Sequence, residues 1–493
     1  MIFNRVLRNL TKPGKNLSER TIKSGFWIFS VRIVQQLFGF IRIIILARVL
    51  APHDFGLMGI AVLTMTILET VTQTGLHQAL IQKKDDIKIY LDAVWTYLIL
   101  RGVVLFAILY LIAPYAATFF NTPKAKLIIQ VIGFAILLQS FTNIGTIYFQ
   151  KELEFNKLFF YQLSITLSDF IVAVSLVFIL KNVWALVFGL LASNFTGCIV
   201  SYIIHPFKPR LSFDLKKVKG LFDFGKWVWG SAVLTFLITQ GDSIFVGKFL
   251  GATALGFYQL AYRISNMPAT EITHVISQVS FPAYSKLQDD LAKLREAYLR
   301  VLQVTAFLSF PIAGLIFVLA PDFTTIFLGE KWMPMVPAMQ VLCIFGLTRS
   351  FGATTGPLFQ GVGKPSILTK LAIIQLVMMV FIIYPLTSKY GILGTSIAVV
   401  IPNLITQIIA GIKILNIIKC DGRKFIRSLL FPLSSTSIAI LPIFIFTGML
   451  KSFNFFIFVS LLLVSIFCYW GISYFLGRNF DYDAMVILQK SLK

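Results

Sequence analysis

RVLAPHDFGL, residues 48–57, returns as KFLGATALGF at 248–257, with Leu50 and Gly56 repeated as Leu250 and Gly256. The echo extends backward at the same spacing, Gly25 and Trp27 returning as Gly225 and Trp227. A second echo sets QSFTNIGTIYFQ (139–150) against RSFGATTGPLFQ (349–360), now 210 positions on (349 − 139). A fixed internal period in a polytopic membrane chain marks two structural halves with a site between them. That architecture belongs to transporters more often than to enzymes.

The composition supplies the membrane. The chain has 493 residues, 57% hydrophobic and 13% charged, with a mean hydropathy of +0.82. A helix crossing the roughly 30 Å hydrocarbon layer needs about 20 apolar residues, and only helices or closed barrels satisfy their backbone there. The apolar segments are long and continuous, without the alternation of barrel strands. Fourteen are expected, near 22–46, 56–82, 90–113, 123–149, 159–180, 183–204, 224–249, 254–283, 297–320, 332–360, 366–386, 391–417, 426–448 and 454–476. The fold class is therefore an all-α polytopic bundle of about fourteen transmembrane helices.

The formal charge of +23 would point to nucleic acid in a soluble chain. Here alternate connections collect it: Arg5, Arg8, Lys12, Lys15, Arg20 and Lys23 at the N-terminus, later Lys83, Lys84 and Lys88, then Lys208, Arg210, Lys216 and Lys217. The opposite connections hold little, such as Lys124, Lys126, Lys181 and Lys248. Basic residues retained in cytoplasmic loops follow the positive-inside rule, which puts both termini in the cytoplasm and requires an even number of spans. The basic excess then serves topology and attraction to anionic membrane lipids; nucleic acid is not expected as a partner.

The expected organisation is a basic cytoplasmic N-terminus (1–21), a six-span N-lobe (22–204), an inter-lobe linker (205–223), a six-span C-lobe (224–417), a cytoplasmic loop (418–425), two further spans (426–476) and a cytoplasmic tail (477–493). The linker region HPFKPRLSFDLKKVKGLFDFG (205–225) mixes apolar and basic residues after Pro206 and Pro209. Two readings stand, a helix lying in the headgroup layer or a solvated connection. YSKLQDDLAKLREAYLRVLQ (284–303) has helical spacing and an Asp289–Lys293 pair four apart, and reads as a solvated helical extension. Cys198, Cys343, Cys420 and Cys468 are scattered without a C-x-x-C pair and read as small apolar helix residues.

Ionisable groups at membrane depth are costly and so are functional candidates. The first span carries Arg32, Gln35, Gln36, Gly39 and Arg42, which at ~100° per residue fall within an arc of about 120°. The seventh span, its repeat partner, carries Ser231, Thr235, Thr239 and Asp242 on a similar stripe, which sets Asp242 opposite Arg42 in the repeat. Glu69 and Gln73 lie on the second span, Arg101 on the third, Asp169 on the fifth, Glu271 on the eighth and Arg349 on the tenth. For each the alternative is a structural ion pair, a snorkelling side chain or a helix-packing hydrogen bond.

Absences narrow the chemistry. GVGKP (361–365) has proline where a phosphate-binding loop needs a hydroxyl. The four histidines form no metal-ligand pair, and no exposed carboxylate pair sits in an outer loop, as acid–base work on a sugar would need. An enzyme is not expected.

The stretches ARVLAPHDFGLMGIAV (47–62) and TGLHQALIQKKD (74–85) resemble the polysaccharide-transporter branch of the MOP exporter superfamily, the Wzx-type flippases. QKELEFNKL (150–158), FPAYSKLQDDLAKLREAY (281–298) and GEKWMPMVPAMQVLCIFGLTRSFG (329–352) look similar to its colanic-acid and teichuronic-acid exporter members. The resemblance implies two six-helix lobes forming a V, plus two C-terminal helices, in a bacterial cytoplasmic membrane. It implies export of undecaprenyl-diphosphate-linked oligosaccharide by alternating access, for capsule, O-antigen, exopolysaccharide or teichuronic acid. A polysaccharide polymerase and a chain-length regulator follow as partners, with no cofactor beyond a coupled proton or sodium ion.

On that reading Arg32, Arg42, Gln35, Gln36, Arg101 and Arg349 are the candidates for the diphosphate and its cavity. Glu69, Asp169, Asp242 and Glu271 are those for ion coupling, and Thr235, Thr239 and Gln73 those for polar lining. The competing readings are a cation-coupled multidrug exporter of the same superfamily, and an integral-membrane polymerase or ligase using the lipid-linked donor. The basic face of the first span opposes cationic cargo, and the short outer connections oppose the enzyme.

Overall fold

A computed structural model describes residues 17–83, 86–449 and 455–480, and among these the secondary structure is helical. The chain runs α1 (Leu17–Val49), α2 (Pro52–Val71), α3 (Leu76–Gln82), α4 (Lys88–Phe119), α5 (Ala125–Ser140), α6 (Ile147–Lys151), α7 (Phe155–Leu180) and α8 (Trp184–Ile204). It continues through α9 (Leu215–Phe249), α10 (Gly251–Leu287), α11 (Leu291–Phe323), α12 (Val336–Gly361), α13 (Ser366–Ile418), α14 (Gly422–Met449) and α15 (Phe455–Phe480). The N-terminal 1–16 and C-terminal 481–493 stretches of the expected tails lie outside the described residues.

The fourteen expected segments fall largely on helix, the second broken at 72–75 between α2 and α3, and they differ as spans. Ten helices are long and apolar enough to cross a membrane among the described residues, eleven if a bent pair counts as one. That pair is α5 with α6, turned through 68° at the Thr142–Asn143 break, where the Asn143 side chain accepts from the Gly145 N–H at 2.9 Å. One of the ten, the 53-residue α13, would be about 80 Å long if straight, far more than one bilayer crossing. Gly391, at φ 60° and ψ −138°, breaks it where two spans were expected. The expected seventh and eighth spans fall on α9 and α10, which that count does not include. The α9 side chains before Gly230 lie outside the description, and α10 carries Gln259, Arg263, Asn266, Glu271 and Gln278.

The chain divides into two compact units, one of residues 1–240 and 247–256, the other of 241–246 and 257–493. In the first, α1 lies along α7, α4 along α5 and α7 along α8, with α5 also meeting α2 and α8. Leu80, Leu91, Val94 and Ile147 are sealed in a core beneath α3, α4 and α6. The α1–α2 corner is tight because Pro52 begins α2 with its φ preset and Asp54 accepts the Ala51 N–H at 3.1 Å.

The linker between the lobes is not helical over its first half and is mostly exposed. Residues 205–214 lack regular structure, yet Arg210 N–H donates to Asp92 Oδ1 and Ser212 N–H to Thr96 Oγ1, both at 2.8 Å. Asn143 Nδ2 donates to the Phe207 carbonyl at 2.6 Å. These bonds lace the segment onto α4 and the α5–α6 break. From Leu215 onward the chain is already α9.

The short stretch 247–256 packs within the first unit by a close crossing. A Cβ on Gly56 would overlap the Ala252 carbonyl, and one on Gly256 would overlap the Pro52 carbonyl. Lys248 Nζ donates to the Phe119 carbonyl at 2.7 Å beside this crossing.

In the second unit α11 meets α12 and α14, α12 meets α13, and α14 meets α15. The 284–303 stretch departs from a solvated extension. It breaks at 288–290, where Asp290 caps α11 by accepting the Lys293 N–H at 3.1 Å. Tyr284, Leu294, Tyr298 and Leu302 are buried in a core with Leu358 and Ile414, because two helix ends meeting at a corner can turn one apolar stripe inward. Lys293 pairs with Asp290 at 3.1 Å, in place of the expected Asp289.

Candidate functional sites

The polar stripe of α1 meets a matching stripe on α7. Arg42 pairs with Asp169: Nη2 donates to Oδ1 at 3.0 Å, and Nε lies 2.8 Å from Oδ2 without the alignment of a hydrogen bond. Two turns earlier on each helix, Gln35 Nε2 donates to Gln162 Oε1 at 3.1 Å. The shared offset of 127 makes the two helices parallel, and Trp27–Phe159 and Phe38–Phe170 ring contacts extend the same seam. The pair holds one charge-assisted hydrogen bond and sets the two charges against each other. Side-chain exposures of 16% and 25% leave the pair partly open. Arg32 and Gln36 continue the stripe, half-buried. The sequence pointed to Arg42 and Asp169 for different tasks; the fold makes them partners.

A second group forms around the end of α2. That helix stops at Val71, and Thr72 caps it. Arg101 braces the end from α4: Nη2 donates to the Glu69 carbonyl at 3.1 Å and Thr72 Oγ1 at 2.8 Å, and Nε to the Thr72 carbonyl at 3.1 Å. A cation at a helix C-terminus meets unpaired carbonyls and the negative end of the dipole. Beside this brace lies a cavity of about 500 Å³, between the α2–α3 break and the α5–α6 break, lined by Thr66, Glu69, Gln73, His77, Arg101 and Gln139 among others. Glu69, Gln73 and Arg101 thus share one site, separate from the Arg42–Asp169 pair.

The second unit holds the third group. Asp242 is 1% exposed, its Oδ2 accepting from the Tyr258 hydroxyl at 2.6 Å and its Oδ1 from the Ser243 N–H at 2.6 Å. Tyr262 lies beside Tyr258, with ring centroids 6.3 Å apart, and Arg349 lies near its hydroxyl. One carboxylate and one guanidinium therefore sit at the two ends of a tyrosine pair. Neutral donors serve the carboxylate, so a cation or proton can still be received there.

Thr235 and Thr239 spend their hydroxyl protons on the carbonyls of Ser231 and Thr235, each at 2.8 Å. Glu271 is half-buried on α10. Sequence reasoning missed Gln162, Tyr258 and Tyr262. For Gln162 a signal existed, since Gln162 and Asp169 repeat the seven-residue spacing of Gln35 and Arg42. For the tyrosines no pattern distinguishes them from core aromatics. No group of three or more His, Cys, Asp or Glu side chains fit to hold a metal occurs among the described residues.

Comparison with known proteins agrees with this architecture. The sequence profile of a family described as polysaccharide biosynthesis protein matches residues 45–337. The lipopolysaccharide biosynthesis protein WzxC of Escherichia coli is 26% identical over 428 residues, 85% of each chain. The teichuronic acid biosynthesis protein TuaB of Bacillus subtilis is 29% identical over 60% of this chain and 62% of its own. Among solved structures, the lipid II flippase MurJ in an inward closed conformation superposes with a TM-score of 0.72 at 17% identity, covering 93% of this chain and 99% of its own. An inward-facing multidrug-resistance MATE transporter gives 0.58 at 17% identity, over 78% of this chain and 96% of its own. The chain belongs to the polysaccharide biosynthesis protein family, as a multi-pass membrane protein whose fold is shared with the solved MurJ and MATE structures.

Proposed function

We propose that the protein is a flippase that carries undecaprenyl-diphosphate-linked oligosaccharide from the cytoplasmic to the outer leaflet of a bacterial cytoplasmic membrane, with both termini cytoplasmic. The observation that carries this reading is the family match over 45–337 in a chain whose connections are too short for a catalytic domain. A diphosphate cannot enter hydrocarbon unpaired, and the Arg42–Asp169 pair supports a solution. Phosphate oxygens have the same bidentate match to guanidinium as a carboxylate. The headgroup exchanges with Asp169 for Arg42, with Arg32, Gln35 and Gln36 along the same stripe. Because the carboxylate returns when cargo leaves, Arg42 is never left unpaired and release is not prohibitively slow.

Coupling to a proton or sodium ion is assigned to Asp242, a buried carboxylate held by neutral donors. The polymerase and chain-length regulator act on the delivered product.

The test is the sidedness of the lipid-linked precursor in cells depleted of the protein, read with a membrane-impermeant sugar-modifying probe. Precursor trapped on the inner face, and rescued by wild type but poorly by Arg42→Ala, is the expected result. Precursor accumulating on the outer face puts the block after translocation and overturns the reading.

A further inference from the structure

The cavity beside the α2 end has a composition that selects its ligand. Glu69 makes no hydrogen bond or ion pair through its carboxylate among the described residues, and the side chains of Gln73, Gln78 and Gln139 make none either. Amide donors, amide acceptors and a carboxylate therefore face about 500 Å³ of open space, within the ~300–1,000 Å³ range of small-molecule sites. Val94, Leu98 and Ile136 give the same cavity an apolar wall.

Three ligand classes can be weighed against this lining. A phosphate is opposed by the Glu69 carboxylate, and Arg101 spends its Nε and Nη2 donors on the carbonyls of Glu69 and Thr72 and on the Thr72 hydroxyl. A bare metal cation is opposed by that same guanidinium. A neutral polyhydroxylated ring fits both constraints. Its hydroxyls donate to a carboxylate and exchange hydrogen bonds with amides in either sense, while its C–H faces meet the apolar wall. The net charge of Glu69 and Arg101 is zero, which suits an uncharged ligand.

We infer that this cavity receives an uncharged sugar of the lipid-linked oligosaccharide, reading its hydroxyls through Glu69, Gln73 and Gln139; the inference rests on the flippase reading above. The location agrees. α2 has 20 residues, about 30 Å of helix, so Glu69 lies one bilayer thickness from the α1–α2 corner. With the N-terminus cytoplasmic, that is the inner headgroup level, where a sugar on a membrane-anchored diphosphate waits. Arg101 is a positioning residue, holding the α2 end that presents Glu69 and Gln73.

The experiment uses the full-length protein in nanodiscs, titrated calorimetrically with two probes. One is the free repeat-unit oligosaccharide cut from the host's own secreted polysaccharide, the other undecaprenyl diphosphate. Wild type binds both. Glu69→Gln and Gln73→Ala each weaken the oligosaccharide roughly tenfold, the scale of a lost hydrogen bond, and leave undecaprenyl diphosphate unchanged, which also certifies their fold. Arg42→Ala gives the converse pattern. Failure of wild type to bind the oligosaccharide, or equal affinity across wild type, Glu69→Gln and Gln73→Ala, overturns the assignment. Sodium or proton uptake that Glu69→Gln abolishes without changing oligosaccharide affinity also overturns it, making the cavity an ion site. The flippase reading fails separately, by outer-face precursor in the sidedness assay, whatever the calorimetry gives.

Discussion

Gly56 and Gly256 are the same position of the internal repeat, and each gives up its side chain to the other's helix. A Cβ on Gly56 meets the Ala252 carbonyl and a Cβ on Gly256 meets the Pro52 carbonyl, so residues 52 and 56 answer 252 and 256 about a local two-fold. Small residues four apart let membrane helices approach backbone to backbone. The obstacle to a larger residue is a main-chain carbonyl, which cannot swing aside. Gly56→Ala and Gly256→Ala are each expected to cost about 1–3 kcal/mol through overpacking. Thermal unfolding followed by fluorescence-detected size exclusion checks this. The two losses should be similar in size, and the double mutant should lose less than their sum because the sites are in contact.

The Arg42–Asp169 pair makes a second expectation. Arg42→Ala removes the guanidinium paired with Asp169, and Asp169→Ala removes the carboxylate paired with Arg42. With 16% and 25% exposure the cost falls below that of a fully buried pair, about 1–3 kcal/mol each. Exchange of the two residues, Arg42→Asp with Asp169→Arg, should recover part of the stability and little of the transport. Asp169→Asn removes the competing charge and should slow release of undecaprenyl diphosphate. Dissociation kinetics from nanodiscs measure it, and an unchanged off-rate removes partner exchange from the mechanism.

Arg101 braces α2 through a fork with several acceptors, so lysine cannot stand in. Arg101→Lys should lower stability nearly as far as Arg101→Ala, by about 1–2 kcal/mol. Both should increase hydrogen exchange at residues 69–75. If the lysine variant is indistinguishable from wild type, the brace is not what holds the helix end.

For Asp242 the expected change is in coupling. Asp242→Asn keeps hydrogen-bonding oxygen toward Tyr258 but cannot exchange a charge. Flux in proteoliposomes should lose its dependence on the pH or sodium gradient, while affinity for undecaprenyl diphosphate is kept. Tyr258→Phe removes one of the two donors to that carboxylate, costs about 1–3 kcal/mol, and should shift the ion dependence without abolishing it.

Asp290 gives a pH prediction outside the membrane. Its carboxyl lies below the usual carboxylate range because it accepts the Lys293 N–H and pairs with the Lys293 side chain. A depressed folded-state pKa means the cap's contribution is full above the ordinary aspartate value and is lost as pH falls through the lower folded one. Limited proteolysis at the α10–α11 corner should therefore accelerate in acid. Asp290→Ala should cleave faster at neutral pH, and Asp290→Asn, which keeps the cap acceptor, should lose most of the acid response.

The sequence by itself determined the class of this protein. Continuous apolar segments can satisfy their backbones in lipid only as helices, and a repeat of about two hundred residues requires two related lobes; both depend on pattern alone. The glycine pair was legible as repetition, though not as a crossing. Tertiary structure decided which polar groups meet. Arg42 lies 127 residues from Asp169, and Glu69 shares a cavity with Gln139 from another helix. Helical periodicity fixes the face of a residue but not what that face is pressed against. The same limit hid Tyr258, whose side chain looks like core until Asp242 is brought against it. It also hid the break at 288–290, where a single stripe of leucines becomes two helix ends packed into one core. Pairing is a property of packing, and packing depends on how helices distant in sequence are brought side by side.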